Sequence, residues 1–274
     1  MHRFLILGGD PRQLYLARLL KQAGHELYLY YDNPSASLEE AMEGSHIILC
    51  PMPFSKDSHA IHCVHPLDDM AISRFLDLLH EGHILFGGSI PPSVTEYCKS
   101  HRIPCYDFMK MDEVACKNAV ATAEGAVAEA ISLSPVNLRG SRCLITGSGR
   151  CAEALAQALS GMGARVAVSG RNREQLSKAF CHGYEAFPLD QMGFRIHEYG
   201  FLFNTIPAMV LDASLVARMQ PDAAVIDIAS APGGVDFEAC SRLGIRAKLC
   251  PGLPGRYSPM TSAVILYEAV MEHL

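Results

Sequence analysis

A chain of 274 residues is long enough for two domains, and 49% hydrophobic against 19% charged residues is ordinary for a globular α/β protein. A net charge of −6, with no long basic run, argues against a nucleic-acid surface. No apolar stretch reaches membrane-spanning length, and Phe4-Leu5-Ile6-Leu7 is too short, and too soon broken by Gly8-Gly9, to be an export signal, so a cytoplasmic protein is expected.

Arg3 to Leu7 reads as a strand, and Arg12 to Ala23 as an amphipathic helix after the turn Gly8-Gly9-Asp10-Pro11. The turn resembles a phosphate loop but lacks Gly-x-x-x-x-Gly-Lys, and Asp10 stands where a phosphate would lie. Arg12 has two readings here: a contact to an anionic substrate, or a salt bridge to Asp10. Strands follow at 26–31 and 46–50, with a short helix from Ser37 to Met42 between them. His59, His62 and His65 stand three apart, but Pro66 and the apolar alternation favour a loop or hairpin, and no Asp or Glu ligand and no catalytic helix motif accompanies them, so no metal is expected. A helix is expected from Leu67 to Leu79, a strand at 84–86, a helix from Ser93 to Ser100 and a short strand from Ile103 to Tyr106. Alternating strands and helices predict an open parallel sheet covered on both faces.

Asp112 to Leu133 contains almost no breakers and predicts one helix, about 30 Å long at 1.5 Å per residue. Its small residues invite close packing, and Asn118, Thr122 and Gly125 share a face. Pro135 ends it.

The next run is the most informative. Ser141-Arg142-Cys143-Leu144-Ile145-Thr146 is a strand, Gly147-Ser148-Gly149 a tight turn, and Arg150-Cys151-Ala152-Glu153-Ala154-Leu155 opens a helix. Gly147 permits the turn, Gly149 lets a pyrophosphate reach the backbone, and Ala152 lets the helix lie close to the strand. A nicotinamide dinucleotide site is therefore expected on Gly147, Ser148, Gly149, Arg150 and Cys151. The second strand, Ala164 to Ser169, ends in Gly170-Arg171-Asn172-Arg173, where an acid would otherwise grip a ribose hydroxyl. Arg171 and Asn172 favour a 2′-phosphate, hence NADP over NAD. Further strands are expected at 184–187, 200–204, 224–228 and 246–249, and a final helix at 261–274. Their turns bring Thr205, Ile206, Pro207, Ser230 and Gly252 to the carboxyl edge, where a cofactor lies. Ten cysteines without a Cys-x-x-Cys are expected to be reduced and mostly buried; Cys151, on the first helical turn, is the one whose thiol a helix dipole could activate.

The expected architecture is thus α/β, with two doubly wound parallel-sheet domains: a flavodoxin-like N-terminal domain (1–111) and an NADP-binding Rossmann domain (135–257). A long bridging helix (112–134) joins them, and a C-terminal helix (258–274) packs back. Substrate is expected where Arg12, Asn118 and Thr122 can supply donors, with Glu124 as the nearest carboxylate for a proton acceptor.

Several stretches resemble the A subunit of bacterial dipicolinate synthase: Gly8-Gly9-Asp10 with Arg12-Gln13, Asn118 with Thr122-Ala123-Glu124-Gly125, Gly147-Ser148-Gly149-Arg150, Asn204-Thr205-Ile206-Pro207-Ala208, Asp227-Ile228-Ala229-Ser230 with Pro232-Gly233-Gly234-Val235-Asp236-Phe237, and Pro251-Gly252-Leu253-Pro254-Gly255. Two positions depart from that pattern: Ala152 replaces a third glycine, and Met260 stands where a lysine is expected. The resemblance implies NADP-dependent oxidation of dihydrodipicolinate to dipicolinate, in the cytoplasm of the mother cell of a sporulating bacterium. It also implies, as partner, a flavoprotein-like B subunit; a homo-oligomer is expected besides. Two other functions compete. One is a 2-hydroxy or amino acid dehydrogenase, which would want a histidine after a late strand. The other is a non-catalytic NADP-binding subunit that organises a flavoprotein.

Overall fold

Runs such as Phe4-Leu5-Ile6-Leu7 have no polar face, so a strand made from them must be covered on both sides. The computed structural model, which describes residues 1–65 and 67–274, shows how each strand is covered. The chain begins β1 (Arg3–Leu7), α1 (Pro11–Gln22), β2 (Glu26–Tyr30), α2 (Leu38–Glu43), β3 (Ile47–Leu49), α3 (Ile72–Leu78), β4 (Ile84–Gly87), α4 (Pro92–Ser100) and β5 (Cys105–Asp107). The long helix α5 (Asp112–Leu133) follows. Then come β6 (Arg142–Thr146), α6 (Arg150–Gly161), β7 (Arg165–Gly170), α7 (Arg173–Cys181), β8 (Glu185–Pro188), α8 (Met192–Arg195), β9 (Phe201–Asn204), α9 (Ala213–Val216), β10 (Ala224–Asp227), α10 (Phe237–Leu243), β11 (Arg246–Leu249), α11 (Leu253–Tyr257) and α12 (Pro259–Met271).

By contacts the chain forms two compact units, Met1–Lys117 with Ser258–Leu274, and Asn118–Tyr257. Where the sequence suggested boundaries at 111/112 and 134/135, the contacts divide the chain within α5.

Among the described residues, the first unit holds a parallel sheet in the order β2-β1-β3-β4-β5, a flavodoxin-like order. Side chains alternate between its two faces. Leu5, Leu7 and Ile48 enter one core with Phe54, Phe75 and Val94. Phe4, Ile6, Ile47 and Leu49 enter the other with Leu16 and Leu20 of α1 and Ala263 and Leu266 of α12. Each fully buried Leu, Ile or Phe is worth roughly 1.5–3 kcal/mol. Asp10 caps α1, with Pro11 at its first position, and Ser37 and Glu40 form a reciprocal cap on α2. The helix expected at 67–79 is shorter. Before α3 the backbone pairs instead with the histidine loop, through Ile61 N–H to the Met70 carbonyl (2.8 Å) and Ile72 N–H to the His59 carbonyl (2.8 Å). Pro66, part of the sequence argument for that loop, lies outside the described residues.

The second unit holds a parallel sheet in the order β8-β7-β6-β9-β10-β11, the Rossmann order. Cys143, Ile145, Phe201, Phe203 and Ile226 face α5 and α6, while Leu144, Leu202 and Val225 face the opposite side with Tyr199 and Val216. Segment 250–257, expected as a turn, also forms the short helix α11. It packs so closely on α5 that a methyl group at Gly125 would lie 3.0 Å from Leu253 and from Tyr257.

Glu129 ties this packing together. Its carboxylate is 2% exposed. It accepts from Lys248 of β11 and from Arg256 of α11 at 2.7 Å. The Lys248 hydrogen bond, more than the remaining charges, holds its carboxyl below the usual glutamate value. A carboxyl with a depressed pKa stabilises the fold above its unfolded value, about 4.3, and loses that contribution as pH falls through the lower folded value. Thermal unfolding between pH 7 and 3.5 should therefore show a steeper acid loss for the native chain than for Glu129→Gln. At pH 7, removing both cations (Lys248→Met with Arg256→Met) should lower Tm more than Glu129→Gln, because it strands a buried charge whereas the half-exposed cations can turn to water.

Candidate dinucleotide site

β6 ends on Thr146, and the chain reverses at Gly147, whose φ of +103° suits glycine. Its N–H donates to the Ser169 carbonyl at 2.8 Å. A Cβ there would stand 2.0 Å from Thr205 Oγ1. Gly149 differs. Its φ is −90°, it is the N-cap of α6, no side chain caps the helix, and a Cβ on it would meet nothing within 4 Å. The open backbone of a helix start attracts anions. Ala152 lies 1% exposed against the sheet.

Ser148, Gly149, Arg150, Glu153, Asn172 and Gln175 bound a concavity of about 410 Å³. Two helix starts, α6 and α7, therefore meet at one depression. Asn172 Oδ1 accepts from Glu174 N–H (2.9 Å) and Gln175 N–H (3.2 Å), capping α7. Arg171 and Arg173 are exposed beside it. Gly170, the last residue of β7, carries no acid to grip a ribose, and a Cβ there would lie 3.0 Å from Ser148 Oγ.

The expected residues Thr205, Ile206, Pro207, Ser230 and Gly252 all follow the carboxyl ends of β9, β10 and β11. Ser230, Pro207 and Gly252 are exposed. Thr205 is drawn onto β6, its N–H (2.9 Å) and Oγ1 (2.8 Å) both donating to the Thr146 carbonyl. Cys151 is half-buried on the first turn of α6.

Sequence reasoning missed what holds these turns. Thr146, Asn204 and Asp227 are all 0% exposed. Thr146 Oγ1 donates to Asn204 Oδ1 at 2.7 Å. Asn204 Nδ2 donates to Asp227 Oδ1 (2.8 Å) and to the Ile206 carbonyl (3.0 Å), and Ile206 N–H returns to Asn204 Oδ1 (3.1 Å). Asp227 also accepts from Ala229 N–H (3.0 Å) and Gly234 N–H (2.8 Å). Gly234 fits under this lattice only without a side chain: its Cβ would lie 2.5 Å from the Ala208 carbonyl and from Asn204 Nδ2. The available signal was a polar residue ending each of three adjacent apolar strands.

On α5, Asn118 is 8% exposed, Thr122 is half-buried and donates to the Asn118 carbonyl at 3.0 Å, and Glu124 is exposed. Of the two readings of Arg12, the structure displays the ion pair. The side chain is 5% exposed, with Nε 2.9 Å from Asp10 Oδ1, Nη2 2.6 Å from Oδ2, and a further bond to the Met52 carbonyl. Nor is the Gly8-Gly9 turn open to a ligand, since its N–H groups donate to the Tyr30 and His62 carbonyls, each at 2.7 Å. His59 and His65 are exposed and His62 half-buried. Among the described residues no His, Cys, Asp and Glu group is arranged to hold a metal, and no helix is long and apolar enough to cross a membrane.

Residues 3–109 match the family model for the N-terminal domain of the dipicolinate synthase A subunit. The chain is 26% identical, over 96% of its length and 93% of the relative's, to the dipicolinate synthase A subunit of Bacillus subtilis strain 168. The chain resembles the A subunit of dipicolinate synthase. A crystal structure of that protein from Bacillus halodurans superposes with a TM-score of 0.88 at 26% identity, covering 99% of this chain and 97% of that one. An L-alanine dehydrogenase shares the fold at 14% identity, with a TM-score of 0.63 over 98% of this chain and 88% of the other. The fold is thus one that dehydrogenases share.

The two glycines make a paired prediction. Gly147→Ala forces an L residue into a positive-φ turn against Thr205 and should cost about 2–4 kcal/mol in denaturant unfolding. Gly149→Ala meets open space and should cost about 1 kcal/mol or less. Equal losses would show that Gly147 is not the point of closest approach.

Proposed function

We propose that the chain is the NADP-binding subunit of a dipicolinate synthase, oxidising dihydrodipicolinate to dipicolinate. The observation carrying this reading is the uncapped start of α6 opening, beside Arg171, Asn172 and Arg173, onto one concavity with no acid at the end of β7. These residues fit a dinucleotide with a 2′-phosphate. Gly147, Ser148, Gly149, Arg150 and Cys151 would hold the pyrophosphate, and Arg171 and Asn172 the 2′-phosphate, through charge-assisted bonds. Bound there, the nicotinamide supplies a hydride acceptor. Thr205, Ile206, Pro207, Ser230 and Gly252 border the place for its ring. A cyclic dicarboxylate needs donors, and Asn118 and Thr122 on α5 are those of the same unit. Gain of aromaticity drives such an oxidation, so the protein's contribution lies in orientation and exclusion of water.

The reading includes cooperation with a second, flavoprotein-like subunit. Turnover of dihydrodipicolinate by the separate proteins and by their mixture distinguishes a catalytic chain from an organising one: NADPH formation that needs this chain's intact Gly149 supports the first.

Cofactor choice is tested by titrating NADP and NAD against Arg171→Asp. A charge-assisted pair is worth about 1.5–3 kcal/mol, so the preference for NADP should shrink by roughly 10- to 100-fold or reverse, with NAD affinity little changed. An unchanged preference would remove the assignment.

A further inference from the structure

Asp227 places a carboxylate in the core with no counter-charge among its hydrogen-bond partners. Its carboxylate is 0% exposed, and its three partners, Asn204 Nδ2, Ala229 N–H and Gly234 N–H, are neutral. None of the ion pairs seen among the described residues includes it. Burying a charge without a counter-charge is costly, and both Asp227 oxygens accept hydrogen bonds, as only a carboxylate's can. The location suggests what the charge is for. Asp227 ends β10, next to β9, at the carboxyl edge where the second half of a dinucleotide lies in this strand order. The nicotinamide ring is positively charged when oxidised and neutral when reduced.

Resting on the dinucleotide reading above, we propose that Asp227 makes this site selective for redox state: its buried negative charge strengthens binding of the oxidised cofactor relative to the reduced one. The protein would then take up NADP+ readily and release NADPH after hydride transfer. The effect is electrostatic and needs no contact. In a protein interior, a unit charge on the order of 10 Å from another changes relative affinity by on the order of tenfold. Thr146 and Asn204 set where the charge sits, because Asn204 spends its remaining groups on Thr146 and Ile206 and cannot rotate.

The test is direct binding, by calorimetry or ligand fluorescence, of NADP+ and NADPH to the full chain. The native protein should bind NADP+ more tightly, and Asp227→Asn should cut the ratio of the two Kd values by roughly tenfold, mostly by weakening NADP+. Native protein that binds NADPH as tightly as NADP+, or a folded Asp227→Asn that keeps the native ratio, would overturn the proposal. Asp227→Asn puts an amide NH2 against at least one backbone donor, Gly234 N–H in the orientation that keeps the other two bonds, and could fail to fold. In that event the salt dependence of the native ratio decides: a buried charge is screened little, so the preference should persist at about 0.5 M salt. A preference that salt erases belongs to surface charges and overturns the assignment. Binding of neither dinucleotide would instead fall on the cofactor reading itself, and this inference would fall with it.

Discussion

Three adjacent parallel strands of the second unit end on polar side chains, and the candidate site depends on how those three satisfy one another. Parallel strands buried on both faces leave no room for stray polar atoms. Thr146, Asn204 and Asp227 solve this at the sheet's edge by bonding sideways, strand to strand, and then to the turns beyond. The Asn204 amide has a fixed orientation, because its oxygen accepts from Thr146 and Ile206 while its nitrogen donates to Asp227 and the Ile206 carbonyl. Rigid turns on a rigid edge suit a hydride transfer, in which small misplacements cost rate.

The same constraint explains several glycines. Gly147 is pressed by Thr205, and Gly234 by Asn204 and two carbonyls. These residues lie far apart in sequence yet serve one edge. Gly125, in the middle of α5, belongs to a different seam, where Leu253 and Tyr257 approach the helix. The Glu129 hub lies on that seam and holds α11, and with it the turn carrying Gly252, against α5.

Periodicity made both sheets legible, since strands without a polar face and alternating with helices leave few alternatives. The expected bounds of β1, α5 and β11 coincide with the observed ones. The Gly147 turn was legible because strand, glycines and helix sit in one short window. What was not legible depended on partners distant in sequence. Nothing in Ile61 or Ile72 announces that each will pair across the histidine loop, which is why α3 starts later than its periodicity suggests. Arg12 was ambiguous for the same reason: whether a cation after a strand meets Asp10 or a ligand depends on the Met52 carbonyl, forty residues away. The Thr146–Asn204–Asp227 chain required knowing the strand order.

The two strand–glycine–helix turns show why a local motif does not settle function. Both begin at the end of the first strand of a parallel sheet, and both use glycine at positive φ. In the first unit the helix start is occupied from within: Asp10 caps α1 and pairs with Arg12, and Gly8 and Gly9 donate to carbonyls of neighbouring segments. The macrodipole of α1 already faces a carboxylate, so an anionic ligand would have to displace Asp10 and strand Arg12 in the core. In the second unit the cap position is Gly149, which has no side chain with which to compete. An acid at the cap closes the first turn, and a glycine there leaves the second open. That one-residue difference is readable in the sequence once the cap position is known, and it separates the turn that stabilises its own helix from the turn available to a phosphate.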